Sequence, residues 1–566
     1  QVNNSSLKLI TIFLVNRSKH FSSNEEICLF QSNFNISVRD SRNERISCIQ
    51  PYPESSVIDS NENKDKTDIE EDASVDLIFR NKKTYAIGHG CSADWKKSKD
   101  HELAYEVSSN HFPIYDAANV TPDIILDDGS LFVLPMSNLA GLNNEEPQVI
   151  LDLLNQLPKN YCNWIEKNEL LLLNLDKKYH ESGKINNSKC AEMLERIKLG
   201  IDFIKNDKNA FEAFKLANHA ILSQQIRTKR YKDDDREWVI GIDGRKKPKT
   251  EYTEPDLIKK DKNIGNWRPF QMAFILSSLQ STALDDDKYR EMVELIFFPT
   301  GGGKTEAYLG LIAFLGFYKR LNNKNHHGVD VIMRYTLRLL TTQQFTRAAS
   351  LICAMEKLRL DNISQLGDNE FSIGVWLGQA TTPNRKQKAK AIVRQLQKDN
   401  VDDQDEDPFL LTKCPWCSAA MGLVQIKNNS IKRSFPKTEL IGIEEAENTV
   451  KFRCADTKCH YNKRWLPIYV IDDDVYDKRP TILIATVDKF AQVAWMPEAK
   501  SIFGLDNNGE RVNDPPSLIL QDELHLITGP LGSMFGLYET LIEDLCTDKR
   551  NSKNTKPKII CSTATI

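Results

Sequence analysis

The sequence predicts an α/β protein in which residues 264–566 form a doubly wound parallel sheet, and three observations predict it. First, a glycine-rich loop, Phe298-Pro-Thr-Gly-Gly-Gly-Lys-Thr305, sits between an apolar strand-like run at 292–298 and an apolar helical stretch at 306–318. Second, short apolar runs recur at 329–333, 371–377, 480–485, 517–520 and 558–561, each ending in a polar or glycine-containing segment. Third, helical stretches separate several of these runs, as in a parallel sheet with helices on both faces. Ligands of such sheets bind beyond the carboxyl ends of the strands, so chemistry is expected in the segments that follow them.

The 566 residues leave room for about three or four domains. A net charge of −4 gives no global basic field, so any nucleic-acid contact must come from local patches and backbone donors. The apolar run at 7–15 is too short to span a bilayer and lacks a basic leader or cleavage site, so a strand is expected there and no membrane partner. Twelve cysteines are too sparse for a disulfide scaffold, and eight are scattered singly, which fits a reducing cytoplasm. The chain starts with Gln1 and stops just after a strand-like run, so a fragment is expected.

Residues 1–146 alternate β-rich runs, at 27–30, 74–79 and 130–134, with turn clusters, and read as a β-rich accessory domain with a polar acidic loop at 54–72. Within it His89 and Cys91 are glycine-flanked; two residues do not make a metal site, and a tight turn is expected. Residues 147–226 have helical periodicity, as a small bundle, and 227–263 turn polar, as a linker.

The glycine loop reads as a phosphate cradle. Thr300, Gly301, Gly302 and Gly303 let backbone N–H groups close on phosphate oxygens, Lys304 can reach the β/γ-phosphates of ATP, and Thr305 can hold Mg²⁺. Phe298 stands where the general motif has glycine or alanine; a flexible turn ending in Lys-Thr is the competing reading. Beyond the run at 517–520 stand Asp522, suited to hold Mg²⁺ through water, and Glu523, suited to orient and deprotonate an attacking water. His525 is either a relay of nucleotide state or a satisfied core histidine. Cys414 and Cys417 with Cys454 and Cys459 form two close pairs separated by a strand-rich interval, the pattern of a structural Zn²⁺ ribbon at 410–465, with His460 as reserve ligand.

The loop at 299–305, Asp522-Glu-Leu-His525 and Ser562-Thr-Ala-Thr565 resemble motifs I, II and III of superfamily 2 helicases, in their usual order. Trp267-Arg-Pro-Phe-Gln271 resembles the glutamine motif that reads adenine. More narrowly, the runs at 333–345, 486–490, 521–532 and 88–95 resemble DrmA, the helicase-subunit family of the DISARM anti-phage system. The resemblance implies a RecA-like P-loop lobe with the second lobe absent, and an ATP-dependent DNA helicase or translocase working beside other subunits of a defence complex. It implies catalysis by Lys304, Asp522 and Glu523, adenine recognition by Gln271, and coupling through His525, Ser562, Thr563 and Thr565. It also implies backbone contacts to DNA from Arg334, Thr336, Arg338, Thr341, Gln343, Thr486 and Lys489, against ordinary capping and surface charge. Lys386, Lys390, Arg394 and Lys398 recur every four residues as a basic stripe, either a further DNA contact or a solvated face. Some relatives in the superfamily carry an iron–sulfur cluster, which is the rival to zinc at the four cysteines. A nucleotide-gated DNA-binding scaffold and an RNA helicase are the alternatives to a DNA motor.

Overall fold

The computed structural model describes residues 8–17, 32–52, 66–98, 102–110, 112, 121, 123–126, 128–233, 236–240, 246–259, 264–298, 301–335, 338–378, 382–397, 409–428, 437–527, 529–550 and 554–564, with 338–343 and a few others described by backbone alone. They form two compact units, 1–120 with 164–191 and 121–163 with 192–566. Among them no helix is long and apolar enough to cross a membrane.

In the smaller unit, Ala104–Asn110 is the centre of a three-stranded antiparallel sheet, flanked by Asn35–Ser37 and Ser92–Lys97. Before the last of these, Gly90 takes φ 72°, the expected turn around His89 and Cys91. Two expectations fail here. Residues 74–79 are not a strand but the end of a helix, Lys66–Phe79, which also takes up part of the expected acidic loop. Helix formers fill it (Glu70, Glu71, Ala73, Leu77), and Asp68 in its first turn complements the helix dipole. The apolar residues 8–17 form no strand and are exposed. The expected strand at 27–30 lies outside the described residues.

The larger unit is built on a seven-stranded parallel sheet. Its strands are β1 (Glu294–Phe297), β2 (Val331–Tyr335), β3 (Ile373–Trp376), β4 (Ile468–Tyr469), β5 (Ile482–Thr486), β6 (Leu518–Gln521) and β7 (Lys558–Thr563), in spatial order β4-β3-β5-β2-β6-β7-β1. Alternate residues enter two separate apolar clusters. Val331, Met333, Ile482, Ile484, Leu518 and Leu520 belong to one; Ile332, Leu483, Ala485 and Ile519 belong to the other. Both faces are therefore covered over β2, β5 and β6, which is why these strands read as unbroken apolar runs, whereas the edge strand β1 leaves Leu295 and Phe297 exposed. On the first face lie α1 (Lys208–Asp233), α2 (Pro269–Ala283), α3 (Lys304–Asn322) and α4 (Arg338–Asp361). The apolar cluster on the second face includes Ile542 and Cys546 of α6 (Gly529–Cys546); α5 (Lys386–Leu396) packs beside the cysteine insert.

Helix α1 packs on α3 and α4, so the end of the expected separate bundle belongs to the sheet's own core. Nor is the expected linker a plain connector. Trp238–Ile240 and Lys246–Pro248 join Gly422–Asn428 and Lys437–Ile441 in a four-stranded sheet within the cysteine insert. Arg236, fully buried, pairs with Asp456 and donates to the Cys417 carbonyl at 2.8 Å.

Candidate functional site

The carboxyl ends of β1, β6 and β7 meet at one place, because β7 lies between the other two. The glycine loop leaves β1 with Gly301 at φ 82° and Gly303 at φ 93°, and Gly303 caps α3. At φ 93° Gly303 holds a conformation that other residues rarely adopt, and a Cβ there would stand 2.6 Å from Gln271 Nε2, which would have to shift. A Cβ on Gly301 would meet nothing within 4 Å, as expected of a wall that faces open space. Lys304, 8% exposed, donates to the Phe298 carbonyl at 2.5 Å. Burial lowers its pKa, against the opposing pull of Glu523 and Asp522. At the departure from the general motif, the Phe298 ring stacks flat on Phe270 at 4.2 Å while its backbone carbonyl serves Lys304.

The loop is braced from α2. Gln271 donates to the Gly303 carbonyl at 2.7 Å and accepts from the Arg268 N–H at 2.9 Å, while Arg268 Nη1 donates to the Gly302 carbonyl at 2.5 Å.

Opposite stands Asp522, 5% exposed. Its Oδ1 accepts from Ser562 Oγ at 2.5 Å and from the Glu523 N–H at 3.0 Å; its Oδ2 accepts from the Tyr308 hydroxyl at 2.9 Å. That hydroxyl is also 3.2 Å from Thr305 Oγ1. Glu523 sits in the left-handed region, φ 49° and ψ 52°, a strain of about 1–3 kcal/mol of the kind that collects at functional sites. His525 Nδ1 lies 3.1 Å from Thr563 Oγ1 and 3.4 Å from Glu523 Oε2, so it bridges β7 and the acidic segment. The structure thus brings together Gln271, Gly301, Gly302, Gly303, Lys304, Thr305, Asp522, Glu523, His525, Ser562 and Thr563. Thr300 and Thr565 lie outside the described residues. The sequence reading missed Arg268 and Tyr308, although Arg268 stands in the quoted motif and Tyr308 follows Lys304 by one helical turn.

The expected DNA-facing residues fare differently. Arg334 is 2% exposed, pairs with Glu539 at 2.5 Å and lies 4.8 Å from the Phe535 ring centroid. Lys489 is 1% exposed and pairs with Asp472 at 2.6 Å, and Thr486 is buried too. These side chains hold the sheet to its covering layer and do not present donors to solvent. Position at the end of a buried strand explains this, since a cation there is retained when a carboxylate is buried with it. In the basic stripe, Lys386 pairs with Asp474 and Asp477, and Lys390 and Arg394 meet Glu445. The side chains of Thr336, Arg338, Thr341, Gln343 and Lys398 lie outside the described residues.

A second centre is formed by Cys414, Cys417, Cys454 and Cys459, all buried, with ligand atoms within 4.8 Å of one another. Sulfurs around a single ion with 2.3 Å bonds stand about 3.8 Å apart, so the spacing fits one tetrahedral metal such as zinc. A multi-iron cluster, which shares its cysteines among several irons, needs them more widely spread. His460 lies outside this four-sulfur group and packs against Trp416 and Tyr461. The centre is tied to the first face of the sheet: the Arg227 guanidinium covers Trp416 at 3.3 Å, and the Tyr461 hydroxyl donates to the Cys353 carbonyl of α4 at 2.7 Å.

No family model matches the chain. A curated relative, the DISARM protein DrmA of Bacillus paralicheniformis, is 33% identical over 99% of this chain. The chain covers 48% of that relative, about half its length. Along nearly its whole length, the chain is a relative of the DISARM protein DrmA.

Proposed function

We propose that the chain carries the ATP-binding, RecA-like lobe of a DrmA-like superfamily 2 DNA helicase or translocase that acts in anti-phage defence. The observation that supports this most is the approach of Thr305 and Asp522 to one shared hydroxyl, that of Tyr308, beside Lys304 and the open glycine wall. Lys304 and the loop N–H groups hold the β- and γ-phosphates, and the Phe298 carbonyl keeps the ammonium in place until a phosphate takes it over. Thr305 and Asp522 would hold Mg²⁺, which would neutralise charge on the phosphate oxygens. Glu523 orients and deprotonates the attacking water. Ser562, bonded to Asp522, and Thr563, bonded to His525, link the state of the acidic pair to β7 and so to whatever moves with that strand. Zinc at the four cysteines is structural, and other subunits of a defence complex are the partners.

Fluorescent ATP binding, with Lys304→Ala as the blank, tests the nucleotide site. Matched single-stranded DNA and RNA then separate a DNA from an RNA motor. Loss of ATP binding in the variant alone supports the lobe; equal binding by both forms contradicts it.

A further inference from the structure

Tyr308 lies one turn into α3, 1% exposed, and belongs to none of the motifs from which the site was read. Its single proton goes to Asp522 Oδ2, since a bond to an ionised acceptor is about twice as strong as one to a neutral hydroxyl. Its oxygen then stands 3.2 Å from Thr305 Oγ1 as an acceptor. A threonine that ligates a cation must turn a lone pair to the ion and its proton elsewhere. The Tyr308 oxygen can take that proton, and it lies nearer than the Gln344 amide, whose Nε2 stands 3.4 Å from Thr305 Oγ1 on the donor side. Meanwhile Ser562 and the Glu523 N–H fix only Oδ1 of the carboxylate, and a carboxylate torsion is soft and nearly two-fold without a second anchor.

We propose that Tyr308 is a positioning residue for Mg²⁺, holding the Asp522 carboxylate and the Thr305 hydroxyl in the mutual orientation that the cation requires. The proposal rests on the ATP-site reading above. Partners that orient metal ligands in this way change metal affinity by about 10–100-fold when removed.

The test is a Mg²⁺ titration of fluorescent ATP binding to the whole chain and to Tyr308→Phe, which deletes one oxygen. The expected result is that affinity in EDTA is unchanged while the Mg²⁺ concentration for half-maximal tightening rises at least about tenfold. Tyr318→Phe, which removes from the same helix a hydroxyl bonded to Asp207 and not to Asp522 or Thr305, leaves that midpoint in place. An unmoved midpoint in Tyr308→Phe overturns the proposal, as does an equal shift in Tyr318→Phe, which would mean general loosening. If Tyr308→Phe does not fold, 3-fluorotyrosine at position 308 keeps the hydroxyl and reports by fluorine resonance. A signal that moves when Mg²⁺ joins bound nucleotide supports the assignment, and one indifferent to Mg²⁺ overturns it. A wild-type chain that binds no nucleotide removes the ATP-site reading and this inference with it; binding without any effect of Tyr308 removes the inference alone.

Discussion

Ser562 Oγ and Asp522 Oδ1 lie 2.5 Å apart, a hydrogen bond between neighbouring parallel strands that joins the third helicase-like motif to the acidic segment. The serine is fully buried, so its removal leaves one oxygen of a buried carboxylate short of a donor. Ser562→Ala is expected to lower stability by about 1–3 kcal/mol, read by denaturant melting. It also reduces the response of ATP turnover to DNA more than ATP binding itself.

Lys489→Ala tests whether this residue is a DNA contact or a strut. Both Lys489 and Asp472 are 1% exposed, and removing one partner leaves an uncompensated buried charge. A loss of about 3–5 kcal/mol is expected, with the folded fraction showing unchanged DNA affinity. Weakened DNA binding at normal stability would return Lys489 to the nucleic-acid interface.

The four-cysteine centre predicts one zinc per chain by elemental analysis and no visible absorbance band. Cys454→Ser, or prolonged chelation, is expected to unfold the insert, because folding and metal binding are coupled at such sites. The loss should spread to α4 through Tyr461, whose hydroxyl bonds the Cys353 carbonyl.

His326 gives stability a pH dependence. Burial disfavours its charged form, but Asp330 at 2.7 Å and Asp514 at 3.3 Å outweigh this and raise its pKa above the ordinary 6.5. Lys319 also pairs with Asp330 and opposes the rise. A raised histidine pKa contributes stability that is complete below pH 6.5 and fades as pH climbs through the folded value. Melting temperature should therefore fall from pH 6.5 toward 8.5, and His326→Gln should flatten that part of the profile.

The glycine loop, the acidic pair and the cysteine pairs were legible because each is a local pattern whose chemistry depends on spacing. Six of the seven strands were legible as apolar runs, the inner ones because both faces of the sheet are covered there, and the edge strand Glu294–Phe297 because it is apolar even where Leu295 and Phe297 are exposed. Ile468–Tyr469, two residues at the edge, was too short to stand out. The burial of Arg334 and Lys489 was not legible because no local pattern tells a cation paired inside from one left to meet phosphate; Glu539 and Asp472 lie 205 and 17 residues away. The helix Lys66–Phe79 was obscured by its apolar tail, Val75 to Phe79, which imitates a strand.

The central claim is that the glycine loop and Asp522-Glu523 form a hydrolytic ATP site coupled to DNA. ATP turnover, with and without single-stranded DNA, on this chain and on a version extended to the relative's full length, tests it most directly, with Lys304→Ala as the blank. The account predicts weak turnover by this chain, strong DNA stimulation in the extended form and none in the variant. An extended protein that binds ATP and DNA yet never hydrolyses faster would contradict the motor and leave the gated scaffold.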